Sequence, residues 1–491
     1  MILYVPSRFG GTAMVESGIG YFGDARLKKN GELIVQRVTE RQEVCVRKLG
    51  DDRSEHAKFR RFLRNEAVTV EEMVAHRATL TAAAASGRHV VAIQDTTEAN
   101  YEAQSARKCE LGTVGNGSDV GLFVHPVLAV DAQTSECLGL VDAQIWRRTT
   151  GKAPNYQSLP IEQKESYRWV KGGERAKAVL KDAAMVTIVD DREGDIYEKW
   201  ARLPDDHTHL LTRACRDRNV VGGARLFATL AGLAEAHRYQ FELPARTGKR
   251  SARTACLAVR FGRIRIRRPK NCSDVAAPAQ IELSAIEVRE LEAPPGEEPV
   301  LWRLLTTHPV ESVAQALEVI GWYRLRWNIE QLFRTLKRQG LGLEQSVIED
   351  GAALEKLAVI ALIGATMTMQ LVLARTAAGS LAPQSGSPQL GHAPAQASPM
   401  PQGPPARRIF DDTQIRVLRA LQGKLQGRTR KQQNPYAIDS LAWAAWTIAR
   451  LGGWTGYHSD KSNGPITMRD GLQRFNAIVD GYQLSQDVCP S

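Results

Sequence analysis

Apolar and polar positions change period several times along this 491-residue chain, and the changes divide it into segments. Residues 22–87 read as helical, with Thr69 placed to N-cap a helix over 70–85 and Glu71 and Glu72 in its first turn. His89 to Gln94 (HVVAIQ) reads as a strand that ends on Asp95. Two β-rich runs, Val120 to Val130 and Cys137 to Trp146, are joined by the polar stretch Asp131 to Glu136, a hairpin-type connection. Helical periodicity returns over 162–182, a short β-branched run at Met185 to Val189 ends on Asp190 and Asp191, Asp195 to Leu203 is helical, and Leu210 to Arg213 is a strand. Strands, helix, strand, helix, strand in that order predict a mixed α/β sheet with an antiparallel hairpin near its start.

Residues 214–300 break the alternation with β-like runs at Gln240 to Leu243 and Cys256 to Ile266 and a turn at Pro294 to Gly296, and read as an insertion. A last strand, Trp302 to Thr307, leads into a long helical region from Ser312 to Lys337. Leu357 to Ala374 runs 18 residues without a charge, which reaches the lower limit for a membrane span. Gly364, Thr366, Thr368 and Gln370 inside it favour a buried core helix, and no membrane partner is expected. Residues 377–405, rich in Ala, Pro, Gly, Ser and Gln, read as a flexible linker. Asp412 to Gln426 and Ala437 to Leu451 read as helices, the second stopping at Gly452 and Gly453.

Composition narrows the class. Hydrophobic residues at 43% and charged residues at 24% are ordinary for a folded globular protein. A net charge of +11 suits a polyanionic partner, nucleic acid first. The seven cysteines are scattered with no C-x-x-C pair, which gives no disulfide framework or zinc ribbon and fits a reducing cytoplasm.

The candidate chemistry lies at strand ends. Asp95 follows one strand, and Asp190 or Asp191 follows another; neighbouring strands would set two such carboxylates side by side as hard oxygen ligands for Mg²⁺. Successive strand residues face opposite sides, so only one of Asp190 and Asp191 can share a site with Asp95. A third acid comes from the 312–337 region. At about 100° per residue, Tyr323, Arg326, Glu330 and Lys337 share one helix face, flanked by Trp327 and Arg334, while Leu325, Ile329, Leu332 and Leu336 lie opposite and would dock on the sheet. Phosphodiester chemistry needs an activated nucleophile and a stabilised leaving oxygen, and two divalent ions supply both.

The spacing Tyr323-x2-Arg326-x3-Glu330-x6-Lys337 resembles the Tyr-Arg-Glu-Lys signature of cut-and-paste insertion-sequence transposases of the DDE class. QDTT at 94–97 and DREGDIY at 191–197 are similar to the two aspartate motifs of that family, and motif alignment selects Asp191 over Asp190. The likeness runs from GDARL at 23–27 to GLQRF at 471–475. It implies an α/β fold: an RNase H-like mixed sheet with helices on both faces, interrupted by the β-rich insertion, with helical N- and C-terminal domains. The implied layout is an end-recognition domain over 1–85, a catalytic domain over 86–376, the linker over 377–405 and a helical dimerisation region over 406–491. In such enzymes Asp95, Asp191 and Glu330 would bind two Mg²⁺ or Mn²⁺ ions, and Tyr323, Arg326 and Lys337 would hold phosphates of the transposon end. Trp302 would support a flipped base during hairpin formation. The partners implied are double-stranded DNA, as terminal inverted repeats and as target, and a second copy of the chain in a synaptic complex. The setting implied is a bacterial cytoplasm, at the nucleoid when bound to DNA.

Bland readings compete. The face carrying Glu330 could be a solvated stripe, and Trp302 could be core. Asp195 and Glu193 read as acids complementing a helix N-terminus, and His125 and His209 as structural. Between Pro244 and Lys270 there are ten Lys or Arg and no acid, with Arg263, Arg265 and Arg267 alternating with Ile264 and Ile266. That ladder is either a protected edge strand or a phosphate contact. Arg60, Arg61 and Arg64 form a second candidate DNA contact. The rival functions are a catalytically silent, domesticated DNA-binding protein and an RNase H-like nuclease without strand transfer.

Overall fold

In the computed structural model, residues 18–148, 155–156, 159–245, 250–272, 274–337, 339–380, 403–456 and 464–488 are described. Eleven strands form one sheet: β1 (His89–Gln94), β2 (Thr97–Asn100), β3 (Gly112–Val114), β4 (Asp119–Asp131), β5 (Cys137–Trp146), β6 (Met185–Asp190), β7 (Thr208–Arg213), β8 (His237–Leu243), β9 (Arg253–Arg267), β10 (Gln280–Leu291) and β11 (Leu301–Thr306). Their order is β2-β4-β1-β6-β7-β11-β10-β9-β8, with β3 and β5 also paired to β4. β1, β6 and β7 run parallel, and the flanking pairs are antiparallel. The hairpin expected at Asp131 to Glu136 joins β4 and β5.

The segment read as an insertion does not break away from the sheet. β11 pairs with β7, and β10, β9 and β8 follow outward, so residues 237–306 continue the same hydrogen-bonded ladder. The sequence pattern does not predict β10, whose twelve residues keep a buried inner run, Leu283 to Val288, between two neighbours. A sheet covered on both faces explains two separate apolar clusters. One, around Val91, Ile93, Val189 and Leu211, receives the helices Val313–Leu325, Trp327–Leu336 and Gly351–Ser380. The other, around Val90, Ala92, Val186 and Ile188, receives Tyr167–Val179 and Tyr197–Arg202.

The charge-free run Leu357 to Ala374 is buried throughout and lies inside Gly351–Ser380. Around it pack the N-terminal helices Ala25–Arg41, Arg53–Arg64 and Val70–Ala85 and the C-terminal helices Leu441–Leu451 and Pro465–Val488. Thr69 caps Val70–Ala85 by accepting from the Glu72 amide. The helix Gly351–Ser380 runs past the start of the expected linker at 377; residues 381–402 of that linker lie outside the described residues.

Two further expectations are corrected. The long helix over 312–337 is two helices, Val313–Leu325 and Trp327–Leu336, meeting at Arg326, whose amide hydrogen-bonds to the Tyr323 and Arg324 carbonyls. Asp195 is no helix-dipole acid. It is 1% exposed, pairs with Arg218 and accepts from the Cys215 and Arg216 amides, pinning the chain after β7. Glu193 is bound to Arg168 instead.

Beneath the end of β6, Asp190 is fully buried, ion-paired to the equally buried Lys199 and hydrogen-bonded by Gln94 and Thr212 at 2.7 and 2.9 Å. Removing one partner of such a pair leaves an uncompensated charge in the core. Lys199→Met is expected to cost roughly 3–5 kcal/mol, seen as a lowered midpoint in urea unfolding, and Asp190→Asn in the same chain should recover part of it. An unchanged midpoint in Lys199→Met would contradict the pairing.

Candidate active site

Strand register builds the site. β1 and β6 are parallel with Ile93 opposite Val189, and continuing that ladder two residues brings Asp95 level with Asp191. Adjacent strands lie about 4.8 Å apart, so the two backbones hold these side chains as neighbours. Alternation sends Gln94 and Asp190 to the opposite face, where they bond to each other. This resolves the Asp190/Asp191 ambiguity physically: Asp190 is consumed in the core, whereas Asp191 is half-buried and its Oδ1 has no hydrogen-bond partner.

The third carboxylate arrives from the other side. Ile329, Leu332 and Leu336 are fully buried and seat Trp327–Leu336 on the core, as their spacing predicted. Glu330 is thereby turned toward β1. Arg326, at the break between the two helices, donates from Nη1 to Asp95 Oδ2 at 3.1 Å and from Nη2 to Glu330 Oε1 at 2.8 Å. Its side chain is only 9% exposed. Three carboxylates to one guanidinium leave excess negative charge, yet Asp95 and Glu330 bond to Arg326, Asp191 acts on it through its charge, and the three form no ready ligand cage. Among the described residues no three Asp, Glu, His or Cys groups are gathered to grip an ion. A cation shared by Asp95 and Glu330 therefore requires the guanidinium to turn aside.

The electrostatics follow from this packing. Burial pushes the Asp95 carboxyl up to about 6, against the Thr96 amide and Arg326, and Asp191 and Glu330 add to the rise. For Arg326 burial works against the charge, but Tyr323, Asp191, Asp95 and Glu330 outweigh it and hold the guanidinium above its ordinary value. Burial, with the Asp191 charge, also raises the Tyr323 phenol, whose hydroxyl is buried without a hydrogen bond.

A polar framework that sequence reading missed supports the Asp95 turn. His125, on β4, is fully buried; its Nδ1 lies 2.8 Å from Thr96 Oγ1 and its Nε2 3.1 Å from Gln94 Oε1. Arg168 Nε donates to the same Thr96 hydroxyl at 2.8 Å. His125 thus grips the residues on both sides of Asp95. Gly172 belongs to this framework, since a Cβ there would sit 2.4 Å from Gln94 Oε1. Only the third dimension pairs residues 31 apart in this way, so no local motif could have shown it.

The remaining predicted residues scatter around the centre. Trp302 on β11 meets the Tyr323 ring edge-on, with centroids 5.9 Å apart, and is half-buried. Lys337 lies 3.8 Å from Glu344, and Glu330, Arg334 and Lys337 line one cavity of about 410 Å³. Arg263, Arg265 and Arg267 are exposed while Ile264 and Ile266 are buried, so the alternation exists, but Arg263 is ion-paired to Glu282 and Glu311. β8 covers β9 only over Arg253 to Val259 and stops short of the Arg263 to Arg267 ladder. Arg60, Arg61 and Arg64 are exposed on Arg53–Arg64, away from its buried Phe59, Phe62 and Leu63.

Residues 126–367 match the family model of the Transposase DDE domain. Asp191, Glu330, Tyr323 and Arg326 lie inside the match, and Asp95 lies upstream, joined to the others through β1 and Arg326. A cryo-EM structure of a piggyBac transposase synaptic complex with hairpin DNA is also similar, with 10% identity and a TM-score of 0.36, over 72% of this chain. The match covers 65% of that chain's length.

The raised Asp95 carboxyl is directly measurable. The infrared difference between the protein and Asp95→Asn should show a carboxyl titrating near pH 6. Removing the opposing guanidinium with Arg326→Gln should move that midpoint higher. A midpoint near 4 in both proteins would contradict the buried, mutually repelling site.

Proposed function

We propose that this protein is a DNA transposase of the DDE class that cuts and joins phosphodiester bonds at the ends of an insertion sequence. The observation that carries the reading is Arg326 joining Asp95 to Glu330, with Asp191 on the strand beside Asp95, in a chain whose residues 126–367 match the Transposase DDE domain. An RNase H-like reading of the sheet is supported by the order β5-β4-β1-β6-β7, in which the antiparallel hairpin precedes the parallel strands.

The residues fit a divalent metal centre in three respects. The donors are hard carboxylate oxygens, their charge exceeds that of Arg326, and the buried Asp191 Oδ1 lacks a partner. Asp95, Asp191 and Glu330 would hold Mg²⁺ or Mn²⁺, two ions in the reading we favour, which would activate water or a 3′-hydroxyl and stabilise the leaving oxygen. The chain's own residues do the rest. Arg326, attached to two of the acids, passes from them to a phosphate oxygen when DNA arrives, because a guanidinium matches either anion in bidentate fashion. Lys337 and Arg334 line the neighbouring cavity together with Glu330 and Glu344, and would turn to phosphates of the end duplex. Trp302 and Tyr323 offer an aromatic corner against which an unstacked base can rest. The excess of basic residues supplies sequence-independent attraction to DNA, and two copies would hold the two ends in one complex.

The test is cleavage of plasmid DNA carrying this gene with its flanking sequence, in Mg²⁺. Glu330→Gln should reduce cutting by at least about a thousandfold while end binding stays within about threefold, since charge chemistry is removed and shape retained. Wild-type binding should fall steeply with salt. Full cleavage by Glu330→Gln, or salt-independent binding, would contradict the reading.

A further inference from the structure

His125 takes no part in the chemistry proposed above, yet it is fully buried and hydrogen-bonded at both ring nitrogens. The groups at the two ends of its hydrogen-bond chain fix the direction of every link. At one end Arg168, which can only donate, gives its Nε proton to Thr96 Oγ1 at 2.8 Å. At the other end Gln94 Nε2 lies 2.7 Å from Asp190 Oδ1 and 3.1 Å from the Trp169 carbonyl oxygen. Both amide hydrogens are spent on these acceptors, so Gln94 Oε1 is left to accept. His125 Nε2, 3.1 Å from that oxygen, must therefore carry the ring proton. His125 Nδ1 is then a lone pair that accepts from the Thr96 hydroxyl at 2.8 Å. One order satisfies every group: Arg168 to Thr96, Thr96 to His125, His125 to Gln94, Gln94 to Asp190. The Trp169 ring stands edge-on to the imidazole, with centroids 4.8 Å apart, and holds its plane. Burial, helped by the Arg168 and Lys199 charges, pushes the imidazole well below its ordinary range and keeps it neutral.

This chain brackets two of the acids. Gln94 and Thr96 flank Asp95, and Asp190 precedes Asp191. On the core side Gln94 bonds to Asp190. On the outer side Arg168 continues from Thr96 to Glu193, two residues past Asp191, at 2.5 Å. Two bridges thus join the turn after β1 to the turn after β6, and His125 ties one bridge to the other.

We propose that His125 is a positioning residue: a neutral imidazole protonated on Nε2 alone, it locks the two bridges together and so sets the spacing of Asp95 and Asp191. The role of the two acids is taken from the transposase reading; the tautomer follows from the hydrogen bonds alone. In the opposite tautomer the Nε2 lone pair would face the Gln94 carbonyl oxygen, and that link would be lost. Spacing matters because Mg²⁺ accepts only near-ideal octahedral geometry, and residues that orient a metal's ligands are worth about 10–100-fold in its affinity.

Two measurements test this. Nitrogen-15 NMR of the full-length protein, labelled at histidine and free of DNA and metal, reads the tautomer at pH 7, the His125 signal being the one absent from His125→Gln. Nδ1 is expected unprotonated and Nε2 protonated. A protonated Nδ1 overturns the proposal, whether or not any variant folds. Electron paramagnetic resonance of Mn²⁺ titrated into protein with a bound random-sequence duplex reads the spacing. His125→Phe, which keeps a ring and removes both bonds, should weaken Mn²⁺ binding at least about tenfold. His125→Gln, whose amide can still donate to Gln94 Oε1, should recover part of that loss. Wild-type affinity in a folded His125→Phe, or a loss that His125→Gln does not reduce, overturns the positioning role and leaves the Glu330→Gln test standing. A wild-type protein that binds no Mn²⁺ overturns this role and the metal centre together.

Discussion

A single guanidinium ties Asp95 on the sheet to Glu330 on the helix. Arg326 reaches Asp95, 231 residues away in sequence, and Glu330, one helical turn on. Its position depends on everything around it: the buried Ile329, Leu332 and Leu336 that seat the helix, the break that frees its side chain, and the register that sets Asp95 beside Asp191. Burying the guanidinium is costly unless it stays charged, and Asp191, Asp95 and Glu330 help to keep it so. On the function proposed above, the cation that satisfies the acids is also the group that would take up a phosphate oxygen.

Below this centre lies a layer that carries no chemistry and fixes its geometry. Gln94, His125, Asp190 and Thr212 fill the space under the ends of β1 and β6 with hydrogen-bonded polar groups, and Lys199 adds an ion pair to Asp190. Such a network tolerates little displacement, since each buried donor that loses its partner costs free energy. It distinguishes the two adjacent aspartates, committing Asp190 to structure and leaving Asp191 for the site.

Much of this was legible in the chain. β-branched runs ending in acids marked β1 and β6, because parallel central strands are apolar on both faces. The Tyr323 to Lys337 spacing marked the helix that brings Glu330, although the break at Arg326 escaped notice, as no proline or glycine lies there. Fully buried Leu357 to Ala374 was readable as core from its few polar residues. Long-range pairing was not legible. β10 and the continuation of the sheet through β11 depend on partners far apart in sequence, and the Arg168–Glu193 and Arg218–Asp195 pairs, which took two acids away from their expected role, exist only after folding.

The central claim is that three acids from three parts of the chain act as one ion-binding centre. Electron paramagnetic resonance of Mn²⁺ titrated into the protein with bound duplex DNA tests it most directly, using Asp95→Asn, Asp191→Asn and Glu330→Gln beside the wild type. The account predicts that each neutralisation weakens Mn²⁺ binding by at least about tenfold, comparable to or greater than the loss of a supporting residue at a metal site. Mn²⁺ retained at wild-type affinity by Asp95→Asn or by Glu330→Gln would contradict it.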